Sequence, residues 1–371
     1  MMRFLFLAAF ILLAPTLPLH AQYNAYETAA EKFQQLKQEL PTPNVYRNGA
    51  GAPGPKYYQQ QADYEMEIEL REAPEPRVYG TVEITYTNNS PDALEYLWLQ
   101  LDQNMRALDS HTWKVKMGGI GDEEAFSGMQ KKEPWFDGGF KLQEVTDASG
   151  KEALSYHVVK TMMRVNLEEP LESGDSYSFR IKYWYNINDR MKMGGRSGYE
   201  YFPEEDNHIF TISQFYPRLC VYNDVEGWQN KQFLGRGEFA LPFGDYEVAI
   251  TVPSDHVVGA TGTLQNPKDC LTETERERLE RAREDTEHPV LIVTEEEARE
   301  AEKNKAEGTK TWVFEAENVR DFGFASSRKF IWDAMAVDLP NTGRRTMAMS
   351  LYPKEGNPLW GQYSTEVVAH T

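Results

Sequence analysis

Apolar side chains recur at every second residue through much of this 371-residue chain, and that period restricts those stretches to half-buried strands. Tyr64, Met66, Ile68 and Leu70 alternate with charged residues, and Pro74 and Pro76 mark a turn. Val82, Ile84 and Tyr86 resume the alternation, which Asn88-Asn-Ser-Pro91 closes. Leu97, Leu99 and Leu101 continue it, with Tyr96 and Trp98 on the opposite face. Later come Met163/Val165/Leu167, Phe179/Ile181/Tyr183/Tyr185, Tyr246/Val248/Ile250/Val252, Trp312/Phe314/Ala316 and Met347/Met349/Leu351. The pattern predicts antiparallel strands joined by turn-rich loops. No helix of 10–15 residues alternates with each strand, which argues against a doubly wound parallel sheet. An aromatic share of 12% supplies a sizeable core and rules out disorder along the whole chain.

Helical spacing breaks the pattern in three places. Ala29, Phe33, Leu36 and Leu40 predict one amphipathic helix over residues 26–40, stopped by Pro41 and Pro43. Residues 48–55 follow, a linker by their Gly and Pro content. Within residues 268–308, Thr272-x-x-Glu275 and Thr294-x-x-Glu297 are two capping boxes. They predict two charged surface helices inserted between strands, the second ending near Gly308, with a short strand at residues 289–293. Residues 358–371 read as the start of a further helix.

The N-terminus carries a targeting signal. Arg3 supplies a positive start, Leu5 to Leu13 form a short apolar run, and Leu19-His20-Ala21 ends on a small residue. Residues 1–21 are read as a signal peptide of an exported, periplasmic or extracellular protein, with no integral membrane segment after its removal. The alternative is an N-terminal anchor. Export permits a disulfide between Cys220 and Cys270, but two buried free thiols fit equally well. The charge, 39 − 58 = −19, argues against a nucleic-acid footprint. Part of that excess lies on the inserted helices, so it says little about a ligand.

The catalytic motifs sought are absent. There is no His-Glu-x-x-His, no Gly-x-Ser-x-Gly and no phosphate loop. His208 and His370 could ligate a metal only through distant partners. The Gly-Gly pairs at Gly118, Gly138 and Gly194 read as turns, because no helix start follows them. The densest polar and aromatic cluster is the segment of residues 210–224, followed by Gly227-Trp-Gln-Asn230 and Gly235-Arg-Gly237. Amides, tyrosines and an arginine on a loop suit ligand contact. They equally suit a loop pinned by aromatic packing.

Several segments together resemble one family. They are Tyr96-Leu-Trp-Leu-Gln-Leu-Asp-Gln-Asn104, Gly174-Asp-Ser-Tyr-Ser-Phe-Arg-Ile-Lys-Tyr-Trp-Tyr-Asn186, and Ser213-Gln-Phe-Tyr-Pro-Arg218 leading into residues 238–248. Val258-Gly-Ala-Thr-Gly262 and residues 318–330 complete the set. The set resembles the N-terminal β domain of aminopeptidase-N-like zinc metallopeptidases, in their exported bacterial branch, from about residue 57 to the end. The resemblance implies a large antiparallel, saddle-like β-sandwich and, in the complete family, a following thermolysin-like domain. There a His-Glu-x-x-His helix and a downstream Glu hold zinc, whose bound water attacks the amide. This chain holds none of those ligands, so the resemblance implies no catalytic or metal residue in it. It carries over one site. Ser213 and Gln214 match a family segment whose last acid or amide holds the substrate's free amine, and Tyr216 stands in that last place. A tyrosine hydroxyl lacks the charge that makes an ammonium contact strong.

The expected organisation is a signal peptide over residues 1–21, a helix and linker over 22–56, the β domain over 57–340, and the start of a truncated catalytic domain over 341–371. The expected function is the substrate-cleft part of an exported metallo-aminopeptidase, inactive without its catalytic domain and meeting peptide through Gln214 and Tyr216. The rival is a non-enzymatic exported β module that binds a protein or glycan. The fragment reading expects an apolar surface left bare; the module expects a filled C-terminal edge.

Overall fold

The computed structural model describes residues 43–112, 136–235, 237, 240–303 and 305–371. The signal peptide, the helix expected over 26–40, Gly118 and Arg236 lie outside the described residues. Two compact units are distinguished, Met1–Gly54 and Pro55–Thr371. In the first, side chains organise the Gly- and Pro-rich stretch into turns. Asn44 Oδ1 accepts from the Tyr46 and Arg47 amides, and Asn48 Oδ1 from those of Ala50 and Ala52.

The second unit is mainly β. Its strands begin with β1 (Gln61–Arg71), β2 (Arg77–Thr87), β3 (Leu94–Gln100), β4 (Lys141–Asp147), β5 (Tyr156–Val159), β6 (Met162–Leu171) and β7 (Ser176–Asn186). A short helix α1 (Arg190–Met193) precedes β8 (Gly198–Phe202), β9 (Asn207–Ile212), β10 (Arg218–Leu219), β11 (Tyr222–Asn223), β12 (Gly227–Trp228) and β13 (Gly244–Pro253). Then come β14 (Val257–Ala260), β15 (Thr263–Leu264), α2 (Pro267–Cys270), α3 (Glu273–Glu284), β16 (Val290–Val293) and α4 (Glu295–Ala301). The unit closes with β17 (Thr309–Val319), β18 (Phe324–Ser327), β19 (Ile331–Asp338), β20 (Arg345–Tyr352) and α5 (Leu359–His370). Among the described residues no helix is long and apolar enough to cross a membrane.

The largest sheet has the order β15-β17-β13-β1-β2-β7-β4. Its alternating rows Tyr64/Met66/Ile68/Leu70, Val82/Ile84/Tyr86 and Phe179/Ile181/Tyr183/Tyr185 are buried, as the period-two pattern predicts. The sheet β10-β3-β6-β5 adds Leu97, Leu99, Met163 and Val165 to the same core. The pairings between named strands are antiparallel, as expected, except one: β1 lies parallel to β13, in the register Tyr64↔Tyr246. Both are inner strands, and β2 and β17 pair with them antiparallel on their far sides. At the start of β13 only glycine fits, because a Cβ on Gly244 would fall 1.6 Å from the Ala62 carbonyl oxygen.

The insertion is more than surface decoration. Both capping boxes form, each with its Thr side chain and Glu side chain engaged reciprocally. The second helix stops at Ala301 rather than near Gly308, since Glu302 turns inward onto Lys329. Between the helices, β16 pairs with β19 and so builds the sheet β16-β19-β20. The hairpin β19–β20 runs across residue 340, and both strands belong to one sheet. β20 also departs from its predicted face. Ala348 and Tyr352 are the buried residues, whereas Met349 is exposed and Met347 and Leu351 are half-buried. The strand is covered on both sides, so one alternating row does not describe it. Both cysteines are buried and free. On α5, Leu359, Trp360, Tyr363, Val367 and Val368 are exposed.

Candidate functional site

The candidate segment runs from Ser213 to Arg218, where the chain leaves β9 and enters β10. The turn of residues Asp102–Arg106, which follows β3, clamps it at both ends. At the first end, Gln103 Nε2 donates to the Gln214 carbonyl at 3.0 Å and to that of Ser213 at 3.3 Å. Arg106 Nη1 in turn donates to Gln103 Oε1 at 2.9 Å. The Ser197 hydroxyl donates to the Ser213 carbonyl at 3.2 Å and accepts from its amide at 3.1 Å. Gln103, Arg106 and Ser197 are all buried.

At the other end, Arg218 Nη2 lies 2.9 Å from Asp102 Oδ2, and Nη1 lies 2.5 Å from Asp321 Oδ2. Burial opposes the guanidinium charge, but Asp102 and Asp321 hold the Arg218 pKa above its ordinary value. Burial pushes the Asp102 carboxyl up, and Arg218 opposes that shift. The adjacent residues Asp102 and Gln103 therefore fix opposite ends of one short segment.

Between the clamps, Gln214 adopts φ +55°, a left-handed backbone that a residue with a Cβ rarely takes. Its side chain is half-buried, and its amide has no hydrogen-bond partner among the described residues. A free primary amide can accept from an ammonium through oxygen and donate to a carbonyl through nitrogen. Strain held in place by several hydrogen bonds is characteristic of functional positions. Gln214→Gly is expected to relieve that strain and raise folding stability by about 1 kcal/mol. A urea midpoint that moves down instead would show that the side chain supports the fold.

Tyr216, the second predicted contact, is fully buried. Its hydroxyl donates to Asp321 Oδ1 at 2.8 Å and lies 3.2 Å from the Tyr246 hydroxyl. Its ring meets Tyr64 edge-on at 5.2 Å. Burial drives its pKa well above the usual value. The structure leaves Tyr216 no surface on which to meet a ligand, because the aromatic core has absorbed it. Phe215 is buried against Phe324, so the polar and aromatic cluster is largely a loop pinned by packing. Sequence reasoning missed Gln103, Arg106 and Ser197 as its supports. The available signal was the polar run Asp102-Gln103-Asn104 directly after an apolar strand.

Among the described residues no three His, Cys, Asp or Glu side chains converge as a metal site. His370 is exposed near the end of α5, and His208 faces Glu72 at 3.7 Å. Zinc therefore has no seat among these residues, and no chemical step is assigned through it.

No protein-family model matches the chain, and no curated protein matches it. Among solved structures it is similar to the M1 zinc metallopeptidase from Deinococcus radiodurans, with 12% identity, a TM-score of 0.41, and coverage of 80% of this chain and 48% of that one. A mutant of that protein bound to a Tyr-Ser-Ala substrate gives 12% identity, a TM-score of 0.42 and the same coverages. A two-domain M1 zinc metallopeptidase mutant bound to L-tryptophan gives 12% and 0.40, covering 82% and 50%. This chain spans about half the length of those structures.

Proposed function

We propose that this chain is the substrate-cleft part of an exported zinc metallopeptidase that removes residues from the amino end of peptides. The observation that carries the reading is Gln214: a strained, doubly clamped backbone presenting an amide unpaired among the described residues, within the segment that resembles a substrate-contacting one and two residues before the place Tyr216 fills. In this reading Gln214 Oε1 accepts a hydrogen bond from the free amine of the peptide. Tyr216 does not touch substrate; it supports the segment from within the core. The bare apolar face of α5 accords with the fragment reading, as a surface for a catalytic domain to cover. Zinc, when bound in such a domain, would supply activated water. The chain itself binds and orients, and turns nothing over.

Two measurements test this. The gene is read past the codon for Thr371, where a His-Glu-x-x-His is expected; a stop with no such motif favours a non-enzymatic binding module. This chain is also assayed on an aminoacyl reporter with added zinc. No turnover is expected, and chelator-sensitive turnover would overturn the assignment of catalysis to another domain.

A further inference from the structure

Among the described residues, the sheet β10-β3-β6-β5 ends at β5, which pairs there with β6 alone, and all four residues of β5 are exposed. Two apolar rows run across the sheet and off this edge. Leu97 pairs with Val165, which pairs with Tyr156; Leu99 pairs with Met163, which pairs with Val158. The first two members of each row are fully buried, whereas Tyr156 and Val158 are 43% and 37% exposed. On the opposite face Trp98, Arg164 and His157 form the intervening row, which is cationic through Arg164. The Arg164 guanidinium stacks 4.9 Å from the Tyr96 ring centroid.

Among the described residues, no strand pairs with the outer backbone of this edge. The Asn166 amide donates to the Ser155 carbonyl, and Tyr156 lies opposite Val165. In an antiparallel ladder hydrogen-bonded pairs alternate, so Ser155, His157 and Val159 bond toward β6. Tyr156 and Val158 then direct their N–H and C=O groups outward. The edge is held rigid at its hairpin end, where Gln232 Nε2 donates to the Val159 carbonyl and Gln232 Oε1 accepts from the Thr161 amide and hydroxyl. Beside that end lies a depression of about 310 Å3, lined by Asn104, Ala107, Asp109, Val158, Val159 and Lys160.

From this geometry we infer that β5 is a docking edge for an extended segment of another protein, which adds a strand with the pattern apolar–acidic–apolar. The two apolar residues continue the Tyr156 and Val158 rows, and the acidic residue between them lies opposite His157, in the row that Arg164 continues one strand further in. The depression takes the side chain that follows. A second copy of this chain is the poorer occupant, because antiparallel pairing of β5 with itself sets His157 against a like row and brings together two chains of charge −19. The inference is independent of the peptidase reading, since β5 shares no residue with the Gln214 segment.

The test uses the whole chain and a fluorescein-labelled peptide Gly-Ser-Thr-Val-Glu-Val-Thr-Ser-Gly, with a partner peptide carrying Lys in place of Glu. Saturable binding of the Glu peptide by anisotropy is expected, with slowed amide exchange at Tyr156 and Val158. Val158→Pro removes an outward N–H and should weaken binding about tenfold. His157→Glu, an exposed change that leaves the backbone intact, should weaken the Glu peptide about fivefold and turn the preference to the Lys peptide. Equal binding of both peptides by the native chain and by His157→Glu would overturn the proposal. So would a dimer, seen by sedimentation, that Val158→Pro abolishes.

Discussion

Lys329→Met should cost about 3–5 kcal/mol of folding free energy, because it leaves buried carboxylates without their cation. Lys329 is fully buried, with Nζ 3.0 Å from Glu355, 3.2 Å from Glu302 and 3.4 Å from Glu205. Its ammonium also lies 4.6 Å from the Phe202 ring centroid. Lys354 reaches the same three acids, contacting Glu205 at 2.6 Å and Glu302 closely. Two cations thus hold three carboxylates drawn from the turn after β8, the end of α4 and the turn after β20. Without Lys329 a single ammonium faces all three, and Glu302 is only 7% exposed. Urea unfolding measures the loss. The double variant Lys329→Met/Glu302→Gln should recover part of it, since one unpaired charge goes with its partner. Strict additivity of the two changes would mean that no such clamp operates.

Glu72→Gln strikes a second buried network, and its effect should depend on pH. Glu72 receives Arg328 through both oxygens, at 3.0 and 2.6 Å, and Arg328 also binds Asp255 and Asn207. His256 Nε2 and His208 Nδ1 face the same carboxylate at 3.4 and 3.7 Å. Burial works to raise the Glu72 pKa, but the facing imidazoles and the Arg328 guanidinium hold it far below the usual carboxylate range. Its stabilisation is therefore fully present above about pH 4.5, the unfolded value, and is lost as pH falls below it. Burial lowers the His256 pKa, so the folded imidazole stays neutral while the unfolded one takes a proton near pH 6.5. That also removes stability as pH falls, and the two slopes add. At pH 7 the variant should lose about 3–5 kcal/mol. The gap between native and variant should narrow from pH 5 to pH 3, where the native chain gives up its carboxylate advantage. A gap that stays constant over that window would show that Glu72 titrates normally.

Both networks were invisible to the sequence. Glu72 and Arg328 lie 256 residues apart, and nothing local marks either as buried or paired. What periodicity does report is which side chains share a face, and there the reading was reliable: Tyr64 through Leu70 and Phe179 through Tyr185 are buried as the alternation requires. Alternation is silent about the neighbouring strand, which is why the parallel pairing of β1 and β13 was not foreseen. It also fails where a strand is covered twice, as at Ala348 and Tyr352. Capping boxes were legible because their chemistry is closed within four residues. At the candidate site, the resemblance of the Ser213–Arg218 segment led to Gln214 but also to Tyr216. Whether a tyrosine faces solvent or Tyr64 is decided by distant chain, here by β1 and β13.

The parallel pair also sets an order of events during synthesis. β1 and β2 emerge together and can form a hairpin at once. The other edge of β1 must wait for β13, about 170 residues later, before its amides and carbonyls find partners. Throughout that interval the nascent chain carries a long strand of high β propensity with one open side. Such a strand folds slowly and invites pairing with other chains. Glu65, Glu67 and Glu69 punctuate that strand, and their like charges oppose its self-association until the permanent neighbour arrives.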